Sequence, residues 1–330
     1  IADMADTNKK NEQKVSKAKP KTQNSNSESQ VKNEKPVKEK DLDKIPDLFD
    51  IIYHTEKLDE LKPEFYKHIL KIFKRNPISN NYNVIFLYDN EKSIEQPMAD
   101  KIYNAIPEDR EKPLLLILNN RGGRVEPAYL ISKTCKESST RFIIAIPRKA
   151  KSAATLISLG GDEIHMGPMS ELGPIDPQFG GLPALGISSS LESIAKIVCK
   201  YPASSTMFSE FLKEKLDLRI LGYFERVSES AKQYAIRLLN GKSIDKKIEE
   251  VAHKFVYDYK DHSFVIDKEE ARNLLGDHIK VNTDEYKFAN DIHKFMNNVN
   301  LLLGLVKKKS IGIVGTARDF DLNDIKEDKE

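Results

Sequence analysis

The sequence predicts an α/β layered core, and three observations carry that reading. Short apolar runs recur at 83–89, 112–119, 141–147 and 163–167. The stretches between them space apolar residues three and four apart, as at 98–106. The runs are unbroken rather than alternating, the mark of strands buried on both faces, paired in parallel and joined by right-handed crossovers. At 330 residues the chain holds one large domain or two ordinary ones, and either buries a sizeable core.

Taken in order, residues 1–44 form a polar, lysine-rich tail. Its first 40 residues hold ten lysines against six acidic residues and almost nothing large and apolar, too little to offset the entropy of ordering. "NVIFLYD" (83–89) is the first strand and "MADKIYNAI" (98–106) a helix. "KPLLLILN" (112–119) is a buried strand, followed by "NNRGGRVEPAYLISKTCKE", a glycine turn opening into a helix. "RFIIAIP" (141–147), "SAATLISLG" and "EIHMG" (163–167) give strand, helix and strand, completing a four-strand core.

After residue 187 amphipathic helices dominate: "SSSLESIAKIVCKY", "SSTMFSEFLKEKLDL", "ILGYFERVSESAKQYAIRLLNG" and "DKKIEEVAHKFVYDY". The extended "DHSFVID" (261–267) leads to the helix "KEEARNLLG", then "HIKVN". A long helix, "DEYKFANDIHKFMNNVNLLLGLVKK", follows, and "RDFDLNDIKEDKE" reads as a frayed end.

Composition excludes several classes. A net charge of +2 gives no general argument for nucleic acid or an anionic membrane. Two cysteines, Cys135 and Cys199, make neither a disulfide framework nor a metal-site spacing. His165, His253, His278 and His293 have no partner at ligand spacing, so neither metal nor other cofactor is expected. The longest apolar run, "NLLLGLV" (300–306), is too short to cross a bilayer, and no apolar segment follows the N-terminal lysines as in a signal peptide. A cytoplasmic protein without stable membrane insertion is the expectation.

Three stretches hold residue types unusual for scaffolding. In "NNRGGRV" (119–125), paired glycines between strand and helix let the backbone turn tightly and aim N–H donors at a bound group. A plain turn or a phosphate cradle is the alternative, though the Gly-Lys-Ser/Thr ending of a P-loop is absent. In "RKAKSAATLISLGG" (148–161), Ser152 stands at a helix N-terminus. There it is either an N-cap or a nucleophile, with the positive helix end and the Ala153 N–H ready for an oxyanion. In "SELGPIDPQFGG" (170–181), prolines bracket Ile175-Asp176 and Gly180-Gly181 release the loop; Asp176 otherwise reads as a turn aspartate.

Together, "LLLILNNRGGRV", "KSAATLISLGGDEIHMGPMSELGPIDPQ" and "HSFVIDKEEARNLLG" resemble the serine dehydrogenase proteinase family. This is a branch of the group that holds Clp protease subunits, signal peptide peptidase A and the crotonase-fold enzymes. The resemblance covers residues 45–285 and leaves 286–330 as a C-terminal helix and tail. It implies a crotonase-like fold and an ATP-independent serine hydrolase acting on peptide or protein substrates, assembled as a homo-oligomer and using no cofactor. An excess of amphipathic helix after residue 187 also favours a homo-oligomer.

Carried over by position, Ser152 stands where these peptidases keep the nucleophile. Gly122 and Gly123 stand in the pair that supplies one oxyanion donor, and Ala153 supplies the other. The general base departs from the pattern. Where Clp subunits have a histidine, this chain has Asp176, 24 residues after Ser152, and where they have the later aspartate it offers His262. A Ser–His–Asp set is recognised by geometry and not chain order, so His262 with Asp176 is one base model. The other is a lysine, as in signal peptide peptidases: Lys196, set among Ile194, Ala195, Ile197 and Val198, in preference to Lys200. His262 also reads as a structural histidine and Lys196 as a solvated one. A non-catalytic scaffold or peptide-binding assembly is the alternative function, and a crotonase-type acyl-CoA enzyme, for which no further acid pair is evident, comes third.

Overall fold

The unbroken apolar runs become strands buried on both faces. In β1 (Asn83–Asp89), Ile85 and Leu87 enter one core while Phe86 and Tyr88 enter a second. β2 (Leu114–Asn120) divides Leu114, Leu116 and Leu118 from Leu115 and Ile117. β3 (Phe142–Ile146) divides Ile144 and Ile146 from Ile143 and Ala145. Side chains alternate with period two, so the middle of a strand covered on both sides is apolar at successive positions. The computed structural model describes residues 40–179 and 182–325. Residues 1–39 of the expected disordered tail, Gly180, Gly181 and residues 326–330 lie outside the described residues. Residues 40–44 of that tail are ordered instead, with Leu42 buried and Asp43 paired with His68 and Arg75.

Beyond β3 the chain makes the two-residue β4 (Lys149–Ala150), then β5 (Glu163–Met166) and β6 (Glu171–Leu172). β7 (Gln178–Phe179) and β8 (Leu182–Pro183) pair only with each other among the described residues. β9 (Ile279–Val281), β10 (Lys309–Gly315) and β11 (Phe320–Asp324) complete the set. The main sheet runs β11-β10-β1-β2-β3-β5-β9. β1, β2, β3, β5 and β9 are mutually parallel, with Val84 opposite Leu115, Leu116 opposite Ile144, and Ile164 opposite both Ile144 and Ile279. β4 prolongs the sheet by pairing with β2 at Asn120 and with β6.

One face is covered by α1 (Ile45–His54), α2 (Leu61–Arg75) and, far along the chain, α11 (Asp284–Lys307). The other gathers α3 (Gln96–Ala105), α4 (Val125–Glu137) and α5 (Ala153–Gly160), with α8 (Leu218–Leu239), α9 (Ile248–His253) and α10 (Lys268–Leu275). Between β8 and α8 come α6 (Ala184–Lys200) and α7 (Ser205–Lys215), in which Ile197, Met207 and Phe211 are exposed. No helix among the described residues is long and apolar enough to cross a membrane.

Two expectations are corrected. The C-terminal stretch read as frayed contributes β11, and the segment before it contributes β10, which pairs antiparallel with β1 at Phe86–Gly315. β11 buries only Phe320 and Asn323, so its charge-rich sequence resembles a tail; the ladder to β10 is what orders it. The core is also wider than four strands, because β9 and β10 flank it on either side.

Candidate active site

The glycine turn is held from within the sheet. Asn120, the last residue of β2, is fully buried. Its amide donates to the carbonyls of Asp89 (2.5 Å) and Lys92 (3.0 Å) and its Oδ1 accepts the Gly122 N–H (2.7 Å). Ile94 donates to the Gly122 carbonyl and accepts from the Arg124 N–H, both at 2.8 Å. Gly122 and Gly123 sit at φ 105° and 154°, which L-residues rarely adopt. The N–H of Gly122 is consumed by Asn120, whereas that of Gly123 has no partner among the described residues.

Ser152 lies against this turn. A β-carbon on Gly122 would stand 2.8 Å from Ser152 Cβ and 3.1 Å from the Ala153 nitrogen, so only glycine permits the approach. Ser152 itself is at φ 50°, ψ −119° and its side chain does not cap α5. A serine that served only as an N-cap would lie in the extended region and bond the N–H of the second or third helical residue. Here the hydroxyl has no hydrogen-bond partner among the described residues, and the backbone is in a strained region of the kind that recurs at nucleophile turns between strand and helix. Ala153 opens the helix, so its N–H has no intrahelical acceptor.

Lys151, the residue before Ser152, ties three segments together. Its ammonium pairs with Glu171 (3.1 Å) and donates to the carbonyls of Phe264 (3.1 Å) and Leu172 (3.4 Å). Thr155 adds a second tie, its hydroxyl accepting the Gly173 N–H at 3.0 Å while donating to the Ala150 carbonyl at 2.6 Å, with the Gly173 carbonyl 2.9 Å away.

The same packing brings Asp176 and His262 together. Leu172 and Ile266 form an isolated antiparallel bridge, closed by hydrogen bonds of 2.9 and 3.1 Å. Asp176 lies four residues after Leu172 and His262 four residues before Ile266, so antiparallel register sets them opposite one another. His262 Nδ1 is 2.5 Å from Asp176 Oδ1, with the carboxylate 2% exposed and the imidazole 24%. Asp176 is fixed from below by a π-helical turn at Lys254–Asp258, whose Phe255 carbonyl accepts the Ile175 N–H at 2.8 Å. A π turn shifts the helical bonding pattern and leaves carbonyls for such outside donors.

Of the residues singled out from sequence, Ser152, Gly122, Gly123 and Ala153 form one cluster, and His262 with Asp176 forms a pair beside it. The Ser152 hydroxyl is not hydrogen-bonded to His262. Lys196 lies on an exposed part of α6, as does Lys200, rather than among apolar side chains. Among the described residues no group of three or more His, Cys, Asp or Glu is arranged to hold a metal.

A family model described as ClpP-like SDH-type serine proteinase matches residues 82–300. Two relatives are the uncharacterized proteins MJ0137 and MJ1495 of Methanocaldococcus jannaschii, each 28% identical over 193 residues, or 58% and 56% of this chain. The chain spans 60% and 58% of their own lengths. Among solved structures, the 1510-N membrane-bound stomatin-specific protease matches twice. Its serine-to-alanine mutant has 17% identity and a TM-score of 0.39, covering 66% of this chain and 84% of that one. Its lysine-to-alanine mutant in complex with a substrate peptide has 18% identity and a TM-score of 0.38, covering 72% and 88%.

Proposed function

The chain belongs to the ClpP-like SDH-type serine proteinase family, and we propose that it hydrolyses peptide bonds without ATP, with Ser152 as nucleophile. One observation carries the reading: Ser152 is held at positive φ against the Gly122–Gly123 turn, and the N–H groups of Gly123 and Ala153 have no acceptor among the described residues. The Ser152 oxygen attacks the scissile carbonyl, whose oxygen becomes an anion between those two donors at the positive end of α5. His262 takes the serine proton through Nε2, since Nδ1 faces Asp176, and passes it to the leaving amine. Water then hydrolyses the acyl-serine by the same base in reverse. The buried Asp176 carboxylate fixes the imidazole tautomer and balances its charge when it is protonated. In free enzymes the nucleophile–base bond is often long and tightens only with substrate, which accommodates the open Ser152–His262 arrangement.

Fluorophosphonate labelling tests this directly. The wild type should take up one label, on Ser152, and Ser152→Ala none; peptide hydrolysis that persists in Ser152→Ala would overturn it. A second reading, a fold that holds peptides without cutting them, draws on the missing Ser152–His262 bond; absence of labelling together with peptide binding would favour it. Exposed Ile197, Met207 and Phe211 on α6 and α7 support the homo-oligomer expected from sequence, which light scattering at micromolar concentration tests. A cytoplasmic location stays part of the same proposal.

A further inference from the structure

On the sheet face that carries α11, opposite the side of α5, the carboxyl ends of β1, β2 and β3 open into a cleft of about 510 Å³. Asn90, Asn119, Arg148, Lys149 and His293 line it, together with Glu171. Clefts of this size at the carboxyl ends of parallel strands are where α/β proteins hold small ligands.

Asn119 is fully buried, and its Oδ1 accepts the Lys149 N–H at 3.1 Å. That bond fixes the orientation of the amide, so the other atom is the NH₂ donor. This nitrogen has no hydrogen-bond partner among the described residues, which leaves its desolvation unoffset. The Lys149 ammonium, half-buried in the same wall, makes no ion pair or hydrogen bond among the described residues. Burial, with Arg121 nearby, holds its pKa below the usual lysine range. Arg148 spends one nitrogen on the Pro147 carbonyl at 3.0 Å and on Asn290 at 3.5 Å. His293 bonds to the Tyr88 hydroxyl at 2.7 Å and adds no charge near neutrality, its pKa being pushed down to about 4.

The charge count limits the ligand. Glu171 is matched by Lys151 at 3.1 Å, and Asp267, which also lines the cleft, offsets one of the two cations Arg148 and Lys149. One positive charge is left, beside a neutral amide donor. We propose that this cleft binds the carboxylate of a monoanionic ligand, with Asn119 Nδ2 and the Lys149 ammonium donating to its two oxygens and Arg148 at its rim. A phosphate dianion would meet Glu171 and Asp267 with its surplus charge. The carboxylate belongs either to a peptide C-terminus or to a small free acid. The assignment rests on the cleft alone and stands whether or not Ser152 is catalytic.

Thermal-shift and calorimetric titrations of the full chain, at constant ionic strength, decide it. The probes are propionate, N-acetyl-alanyl-alanine, the C-terminal amide of that dipeptide, and inorganic phosphate. Saturable stabilisation by a carboxylate probe and none by the amide supports the proposal; the tighter of propionate and dipeptide identifies the source. Lys149→Gln should weaken that binding about ten-fold or more, the effect of losing one charge-assisted hydrogen bond, and Arg148→Gln is the second variant should the first fail to fold. Ser152→Ala should bind with unchanged affinity, which separates this cleft from the proposed nucleophile. No saturable binding of either carboxylate, equal binding of the amide, tighter binding of phosphate, or unchanged affinity in both variants would overturn the assignment.

Discussion

Ser152→Gly should make the protein more stable than Ser152→Ala while both abolish labelling by fluorophosphonate. Ser152 occupies φ 50°, ψ −119°, a region in which a β-carbon is crowded and glycine is not. Holding an L-residue there costs about 1–3 kcal/mol. Its hydroxyl makes no capping bond, so Ser152→Ala removes no interaction, retains the strain, and should change stability by less than about 0.5 kcal/mol. Ser152→Gly removes the strain but adds unfolded-chain freedom costing about 0.5–1 kcal/mol relative to alanine. The difference is a net gain of about 1 kcal/mol for glycine, and for a domain of this size that moves Tm by about 1.5–2 °C. Urea midpoints and thermal melts of the two variants, side by side, measure it. If the glycine variant proves less stable than the alanine variant by 1 kcal/mol or more, Ser152 is not strained and the main structural argument for a nucleophile turn fails.

Further outcomes follow from the same geometry. Asp176→Asn should retain the fold and lose about 10⁴-fold in turnover through the wrong imidazole tautomer; an unchanged rate in peptide hydrolysis would remove Asp176 from the site. Gly123→Ala should cost about 10²–10³ in turnover, because the new β-carbon would lie 2.3 Å from the Ile94 nitrogen and must displace the donor; steady-state kinetics on a correctly folded variant, checked by circular dichroism, tests it. His262→Ala should match the serine variant in activity, whereas Lys196→Ala, on the exposed part of α6, should behave as wild type. The reverse outcome would move the base to the lysine. Stability should fall as pH drops from about 6.5 to about 4. Burial, then Arg148 and Lys149, depress the His293 pKa to about 4, so the unfolded chain takes up a proton that the folded one refuses. Burial lowers His68 and His165 in the same direction. The urea midpoint should therefore be highest above pH 6.5, and its slope with pH should be shallower in His293→Gln; a flat profile in the wild type would contradict this.

The parallel core was legible in the chain because burial on both faces leaves a local signature: Leu114–Leu118 and Phe142–Ile146 have no polar position to spare. The glycine pair and Ser152 were legible for a similar reason, since a turn between strand and helix is a short-range event. The antiparallel edge was not. β11 buries Phe320 and Asn323 against charged neighbours, and only pairing with β10 distinguishes it from a solvated tail.

Sequence also nominated His262 and Asp176 but gave no means of joining them, since they stand 86 residues apart. What joins them is the single bridge between Leu172 and Ile266, reinforced by Lys151, whose ammonium reaches three backbone or side-chain oxygens on both segments. The choice of Gly123 over Gly122 as the free donor likewise depends on Asn120 turning its side chain back to the Gly122 N–H. Lys196 shows the converse. Its apolar sequence neighbours promised burial, but a helix presents successive residues around its whole circumference, and what lies opposite each one is decided by the fold. Local chemistry determined which residue types were available for catalysis; long-range hydrogen bonding, which no window of sequence contains, decided which of them meet.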